Sequence, residues 1–105
     1  MHVYADELTR NSFRVATVLT PQRAADVFAC LTSPVRLKIV DRLMKREWSV
    51  NELAVELSMS QSSLSQHLAK LRQSNLVTMR RHKQMVFYSC DNNLLAEILN
   101  LIELR

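Results

Sequence analysis

The sequence contains no glycine among its 105 residues, so its tight turns must rely on asparagine, serine or histidine. It has only two cysteines, Cys30 and Cys90, which are too few for a disulfide scaffold and are expected to be reduced. No run of 18 apolar residues occurs, and the first residues do not resemble a signal peptide. These absences predict a cytoplasmic protein without a membrane partner.

A further absence is confined to one segment. The chain has ten acidic residues, but none lies between Leu57 and Cys90, although that segment contains several basic side chains. A carboxylate close to DNA would be repelled by the phosphates, whereas lysine and arginine bind them. Together with the net charge of +4, this segregation predicts a double-stranded DNA partner.

Capping signals predict four helices in the first two thirds of the chain. A hydroxyl side chain before a proline, or three residues before a glutamate, is typical of a helix start. Such signals occur at Thr20-Pro21, at Ser33-Pro34 and at Ser49 with Glu52, and Ser60 can cap a fourth helix that continues to about Gln73. The first helix is expected to extend to Leu31, and a short turn separates the third helix from the fourth.

The pattern changes after Asn75. Residues 76–81 and 84–89 are rich in strand-forming side chains, and His82-Lys83 between them is the predicted turn of a β-hairpin. Asp91 or Asn92 can cap a last helix that continues to about Leu104. The predicted fold is mainly α with one β-hairpin, a winged helix-turn-helix in the order α-α-α-α-β-β-α. Residues 1–19 would form an arm or short helix, and residues 20–105 the DNA-binding and dimerisation domain.

The fourth helix has the composition of a helix that reads DNA. Glutamine can pair with base edges in the major groove, and serine, lysine and arginine can hold phosphates. The candidate DNA-binding residues on this helix and on the hairpin are Ser60, Gln61, Ser62, Ser63, Ser65, Gln66, Lys70, Arg80, Arg81 and Lys83. The alternative is that these polar side chains only solvate an exposed surface, but exposed helices usually carry glutamate and lysine instead.

The last helix is more apolar than a small core requires, with six large aliphatic residues in the nine positions from Leu94 to Ile102. This excess predicts a homodimer, although packing within the protomer is an alternative. The candidate interface residues are Val27 and Phe28 on the predicted first helix and Leu94, Leu95, Ile98, Leu101 and Ile102 on the last helix.

Residues from about Ala24 to Leu104 resemble the ArsR/SmtB family of dimeric bacterial repressors, closest to the branch that contains NolR, HlyU and BigR. The resemblance is carried by the segments 31–37 (LTSPVRL), 49–53 (SVNEL), 60–68 (SQSSLSQHL), Leu71-Arg72, Leu76-Val77 and Phe87-Tyr88. It implies a sequence-specific transcriptional regulator, most simply a repressor that binds a palindromic operator as a homodimer. The alternative is a winged-helix interaction module that does not bind DNA.

The positions of the family's sensory sites do not match in this sequence. The resemblance would place metal-binding cysteines at Ala54 and Glu56, and the last helix has no histidine to serve as a ligand. It would place the thiol-sensing cysteines at Asp41 and at or beyond Arg105. We therefore predict no metal site and no cofactor. We also predict no catalytic residues, because the sequence has no glycine-flanked nucleophile and no phosphate-binding loop.

Overall fold

The computed structural model describes residues 20–102, so the predicted arm at residues 1–19 lies outside the described part of the chain. Within it the helices are α1 (Pro21–Cys30), α2 (Pro34–Lys45), α3 (Val50–Glu56), α4 (Gln61–Gln73) and α5 (Asn93–Asn100). The strands are β1 (Trp48–Ser49), β2 (Thr78–His82) and β3 (Met85–Ser89). The predicted winged helix-turn-helix is confirmed.

The helices start where the capping signals placed them. The hydroxyl groups of Thr20, Ser33, Ser49 and Ser60 each accept a hydrogen bond from the backbone amide three residues later, at 3.0–3.3 Å. The Ser49 amide in turn donates a hydrogen bond to the Glu52 carboxylate at 3.2 Å, which completes the capping box. The cap of α5 is Asn92 rather than Asp91.

Two helices end without glycine in the geometry that usually employs it. Ser58 and Asn75 follow the ends of α3 and α4 with φ of 54° and 58°. In each case the next amide reaches back to the last turn, from Met59 to Ala54 O and from Leu76 to Leu71 O, at 2.9 Å. The prediction that serine and asparagine replace glycine in tight turns is confirmed at these two positions.

The hairpin differs from the prediction in where its first strand begins and in which residues form its turn. Its first strand begins at Thr78 rather than Leu76. The Leu76 amide donates to the Leu71 carbonyl at the end of α4, and both Leu76 and Val77 are buried in the core. The turn is formed by Lys83 and Gln84 rather than by His82-Lys83, since His82 pairs with Met85. Lys83 takes the left-handed conformation there, with φ of 59°, so the expectation that asparagine, serine or histidine forms the tight turns is wrong at this turn.

A third strand was not predicted. Strand β1 pairs with β3 through Trp48 opposite Tyr88 and Ser49 opposite Phe87, which gives the sheet order β1-β3-β2. A two-residue strand is too short to produce an alternating pattern, so only its partner reveals it. Through this strand the hairpin is joined to the start of α3.

The core lies between the helices and the inner end of the hairpin. The most deeply buried large side chains are Ile39, Leu43, Leu53, Leu64, Leu68, Leu71 and Leu95. Three of these belong to α4 and hold that helix against the body of the domain.

Helix α5 is shorter than predicted. It ends at Asn100, and the amides of Leu101 and Ile102 then bond to carbonyl groups three residues earlier, which closes the last turn. Residues 103–105 lie outside the described part of the chain. None of the helices within residues 20–102 has the length and apolar composition required to cross a membrane.

Candidate nucleic-acid interface

All ten candidate DNA-binding residues are exposed in the protomer. On α4 this follows from helical spacing, because Leu64, Leu68 and Leu71 take the buried face and leave the opposite side to polar residues. Ser62 and Gln66, four residues apart, lie on that opposite side. The exposed surface of α4 therefore has hydroxyl and amide groups and no carboxylate.

One edge of α4 faces the hairpin across a cleft of about 330 Å³. Gln61, Ser65 and Arg72 line the cleft from α4, and Arg81 and Gln84 line it from the hairpin. Two guanidinium groups and the amides of Gln61 and Gln84 thus line one cleft, together with apolar side chains of the hairpin. Because arginine binds phosphate through a fork of donors, this arrangement suits a nucleic-acid backbone and its adjacent bases.

Three exposed polar side chains that line this cleft were absent from the candidate set, namely Arg72, Gln84 and Asn51. Asn51 stands in the first turn of α3 and lines the same cleft. The seven-residue spacing from Ser65 to Arg72 could have indicated that the two side chains share one edge of α4. No comparable signal was available for Asn51, because its position depends on how α3 packs beside α4.

Lys70 lies on another edge of α4. It lines a separate cleft with Arg23 and Arg36, on the side of α1. The predicted set therefore divides into residues that face outward or toward the hairpin, and Lys70, which faces away from the hairpin.

Ser60 and Ser63 are tied to the local structure of the helix start. The Ser60 hydroxyl accepts a hydrogen bond from the Ser63 amide at 3.1 Å, so its first role is that of a helix cap. Its Oγ also lies 3.4 Å from that of Ser62. The start of α4 remains exposed, from Ser60 to Ser63.

Arg80 and Arg81 are neighbours in sequence but lie on opposite faces of the hairpin. Side chains alternate along a strand, and Arg81 lines the cleft beside α4 together with Met79 and Tyr88. Arg80 is opposite Phe87 on the other face, with its guanidinium 4.5 Å from the centre of that ring.

On that outer face Arg80 is bound by Glu47. Its Nε and Nη2 atoms donate to the two carboxylate oxygens of Glu47, both at 2.7 Å. The hydrogen bond from Arg80 lowers the pKa of Glu47, and the same bond raises the pKa of Arg80. The sequence segment around Arg80 has no acidic residue, but the fold brings in a carboxylate from 33 positions away.

His67 is held by an arginine from α2. Its Nδ1 accepts a hydrogen bond from Arg36 Nε at 3.2 Å, and Arg36 Nη1 donates to the Cys30 carbonyl at 3.0 Å. Burial lowers the pKa of His67, and the positive charge of Arg36 lowers it further. The neutral imidazole is part of the packing between α4 and α2.

Both cysteines are buried free thiols. Cys30 Sγ lies 3.7 Å from the Lys70 carbonyl, and Cys90 Sγ lies 3.2 Å from the Leu76 carbonyl. Burial raises the pKa of Cys90 to about 11, and the charge of Asp91 adds to the effect. In both cases the contact described for the Sγ atom is with a backbone carbonyl, and no basic side chain of residues 20–102 lies in hydrogen-bond contact with it.

Residues 20–102 contain no cluster of three or more histidine, cysteine, aspartate or glutamate side chains that could hold a metal ion. At the two positions where the family resemblance would place cysteine ligands, Ala54 is buried and Glu56 pairs with Arg42 at 3.1 Å.

The predicted interface residues divide into two groups. Val27 and Leu95 are 2% and 1% exposed within the protomer, so their assignment to an intersubunit surface is wrong. Helical periodicity marks an apolar side but does not tell which of its residues the protomer itself covers. Phe28 and Leu101 remain 56% and 87% exposed, Ile102 is also exposed, and Leu94 and Ile98 are partly buried.

Comparison with known proteins gives the family. Residues 33–79, from the start of α2 to the first part of β2, match the family model described as bacterial regulatory protein, arsR family. The nodulation protein NolR of Rhizobium meliloti is 43% identical over 79 residues, which is 75% of this chain and 65% of NolR. The transcriptional activator HlyU of Vibrio cholerae is 40% identical over 82 residues, 78% of this chain and 73% of HlyU.

The chain belongs to the ArsR family.

Solved structures of ArsR-type regulators have the same fold. NolR from Sinorhizobium fredii superimposes with a TM-score of 0.72 at 40% identity, over 79% of this chain and 89% of that one. A possible ArsR-family regulator from Mycobacterium bovis, Mb0332, has a TM-score of 0.69 at 28% identity, over 76% and 74% of the two chains. Mb0332 is described as a homodimeric winged helix-turn-helix DNA-binding domain.

Family membership confirms the resemblance, the fold class and the prediction that the protein is a DNA-binding transcriptional regulator rather than an enzyme. Within this ArsR-family fold, α3 and α4 form the helix-turn-helix and β2 and β3 form the wing. The term wing is used below for residues 78–89.

Proposed function

We propose that the protein is a transcriptional repressor that acts in the cytoplasm and binds a palindromic operator as a homodimer through α4 and the wing. The observation that carries this proposal is the cleft between α4 and the wing, which Arg72 and Arg81 line together with Gln61, Ser65 and Gln84. Among residues 20–102 no carboxylate lines this cleft, which favours contact with phosphates.

In this proposal α4 is the recognition helix. Gln61 and Gln66 lie in its first two turns, the part of such a helix that enters the major groove, and an amide can bond to both edge atoms of adenine. Ser62 and Ser65 contact bases or phosphates beside them. Arg81 and Lys83 of the wing, together with Arg72 at the edge of the cleft, contact the backbone.

The homodimer uses α1 and α5. Phe28 of α1 and the residues that follow α5, Leu101 and Ile102, are large apolar side chains that the protomer leaves exposed. Covering them in a symmetric contact removes apolar surface from water. Two recognition helices on a dyad then meet successive major grooves, and repression follows where such an operator overlaps a promoter.

The test is to compare binding to an operator and to random duplex DNA. The operator is obtained by selection from a random library. Gln61→Ala and Gln66→Ala are expected to weaken operator binding by roughly 1–3 kcal/mol and to leave random-sequence binding nearly unchanged, because only contacts to bases discriminate. Gln73→Ala, the same change on an exposed side chain at the end of α4 that lines the cleft beside α1, is the matched control.

Salt dependence separates DNA binding from a module that binds only proteins. Arg81→Ala and Lys83→Ala should each weaken binding to both DNAs and reduce the salt slope by about one phosphate contact. A salt slope near zero for the wild type would exclude DNA binding through phosphate contacts. Glutamine variants that weaken binding to operator and random DNA equally would exclude the proposed reading of bases.

A further inference from the structure

The ion pair between Glu47 and Arg80 joins the wing to the segment that leads into β1. Glu47 immediately precedes Trp48, and Arg80 stands in the middle of β2. Since β1 pairs only with β3, strand β2 has no backbone hydrogen bond to that segment. The side-chain bridge from Arg80 therefore spans β3 and connects the outer strand of the wing to the body of the domain.

The geometry of this pair is unusual for a surface contact. Both carboxylate oxygens of Glu47 bind separate nitrogen atoms of one guanidinium at 2.7 Å, and the guanidinium is also placed over the Phe87 ring. Most exposed ion pairs contribute little because two long side chains must be ordered for one contact. Here the planar fork is held by two hydrogen bonds and by the ring, so its orientation is defined.

The same geometry separates the roles of the two adjacent arginines. Arg81 faces the cleft beside α4 and contacts no carboxylate in the described hydrogen bonds and ion pairs. Arg80 faces the other side of the wing, where Glu47 supplies a negative charge. A surface with a carboxylate is a poor place for a phosphate, so the two faces of the wing differ in their fitness for DNA.

We infer that Glu47 and Arg80 are positioning residues that hold the wing at the angle required for operator binding, and that Arg81 rather than Arg80 provides the phosphate contact. This inference rests on the proposed function, because it assigns parts within the same DNA-binding surface. It also replaces the prediction that Arg80 binds DNA directly. Arg80 acts through the position of β2, and so through the position of Arg81 and Lys83.

Glu47→Gln gives a test because a purely electrostatic role and a positioning role of Glu47 predict opposite changes in affinity for the operator. The substitution removes a negative charge near the wing, so electrostatics alone predicts tighter binding to every DNA. Loss of a positioning contact predicts the reverse for the operator, a weakening of roughly two- to fivefold. Random-sequence affinity, which does not require one wing angle, should remain within about twofold.

The double variant tests whether the two residues act as one unit. Arg80→Gln should weaken operator binding to the same extent as Glu47→Gln, and the double variant should be no weaker than either single one. Arg81→Ala is the matched contact variant, and it alone should reduce the salt slope by about one phosphate. Lys38→Ala, which removes one positive charge from α2, controls for net charge. Thermal melting checks that all variants are folded.

The outcomes distinguish this inference from the proposed function. If Glu47→Gln tightens binding to both DNAs, or if Arg80→Gln reduces the salt slope as Arg81→Ala does, Arg80 is a phosphate contact that Glu47 competes for, and the inference is wrong. Additive effects in the double variant would also overturn it. If the wild type itself has no salt-dependent affinity for DNA, the proposed function fails instead.

Discussion

His67 of the recognition helix accepts a hydrogen bond at Nδ1 from Nε of Arg36, which itself donates to the Cys30 carbonyl at the end of α1. One arginine thus links α1, α2 and α4. The bond requires an unprotonated Nδ1, because a protonated imidazole has donors at both nitrogen atoms and would face a positive charge. The contact between α2 and α4 therefore depends on a group that titrates.

The His67 contact makes stability depend on pH. Its pKa in the folded protein lies below the ordinary 6.5, first through burial and then through Arg36. The unfolded chain therefore binds a proton at higher pH than the folded one, so this contribution is complete above 6.5 and is lost as the pH falls through the folded pKa. His67→Asn keeps an acceptor near the Nδ1 position but does not titrate.

We expect the free energy of unfolding of the wild type to fall relative to that of His67→Asn between about pH 7.5 and about pH 5. Urea titrations at several pH values measure it. Parallel curves for the two proteins would show that the Arg36 contact does not depend on the charge of His67.

The exposed apolar residues on α1 and after α5 predict a homodimer. Phe28→Asp would place an unpaired carboxylate in the dimer contact, at a cost of several kcal/mol, and should give a folded monomer in sedimentation. Ile98 is a less suitable probe because it packs partly against the core. Val55→Asp is the control, since Val55 is 80% exposed but lies on α3. Phe28→Asp that still sediments as a dimer would exclude α1 from the interface.

The glycine-like position after α3 predicts a stabilising substitution. A left-handed backbone destabilises a residue with a Cβ by about 1–2 kcal/mol, and glycine avoids this cost. Glycine also increases the conformational entropy of the unfolded chain, which offsets part of the gain. Ser58→Gly should therefore raise stability by up to about 1 kcal/mol. Ser74→Gly is the matched control, because Ser74 has φ of −86° and should lose about 0.5–1 kcal/mol. Thermal melting compares them, and equal effects would mean that Ser58 is unstrained.

The buried thiols, and the absence of a metal-binding cluster within residues 20–102, predict that neither oxidants nor metal ions release the protein from DNA. Since Cys90 has a pKa of about 11 and both thiols are buried, peroxide or persulfide should not release the protein from DNA. Zinc, cadmium and arsenite should also have no effect through cysteine or histidine sites. Gel-shift titrations test each compound. Release that disappears in Cys30→Ser or Cys90→Ser would mean that the thiols sense oxidants after all.

The helix starts and the recognition helix were predictable from the sequence because the interactions that define them are local. A cap such as Ser33 bonds an amide three residues away, and Leu64, Leu68 and Leu71 select the buried face of α4 by spacing alone. The same locality explains why Ser60 and Ser49 were identified as caps.

Other features depended on contacts between distant parts of the chain. The sequence marks Val27, Leu95, Phe28 and Leu101 as equally apolar, but only packing of the helices decides that the first two are buried and the others exposed. Likewise, the absence of acids around Arg80 gave no sign of Glu47, since their pairing depends on a two-residue strand and a shared sheet. Capping and helical periodicity act within a few residues, whereas burial and ion pairing depend on which surfaces meet when the domain folds, and that is decided by the tertiary structure.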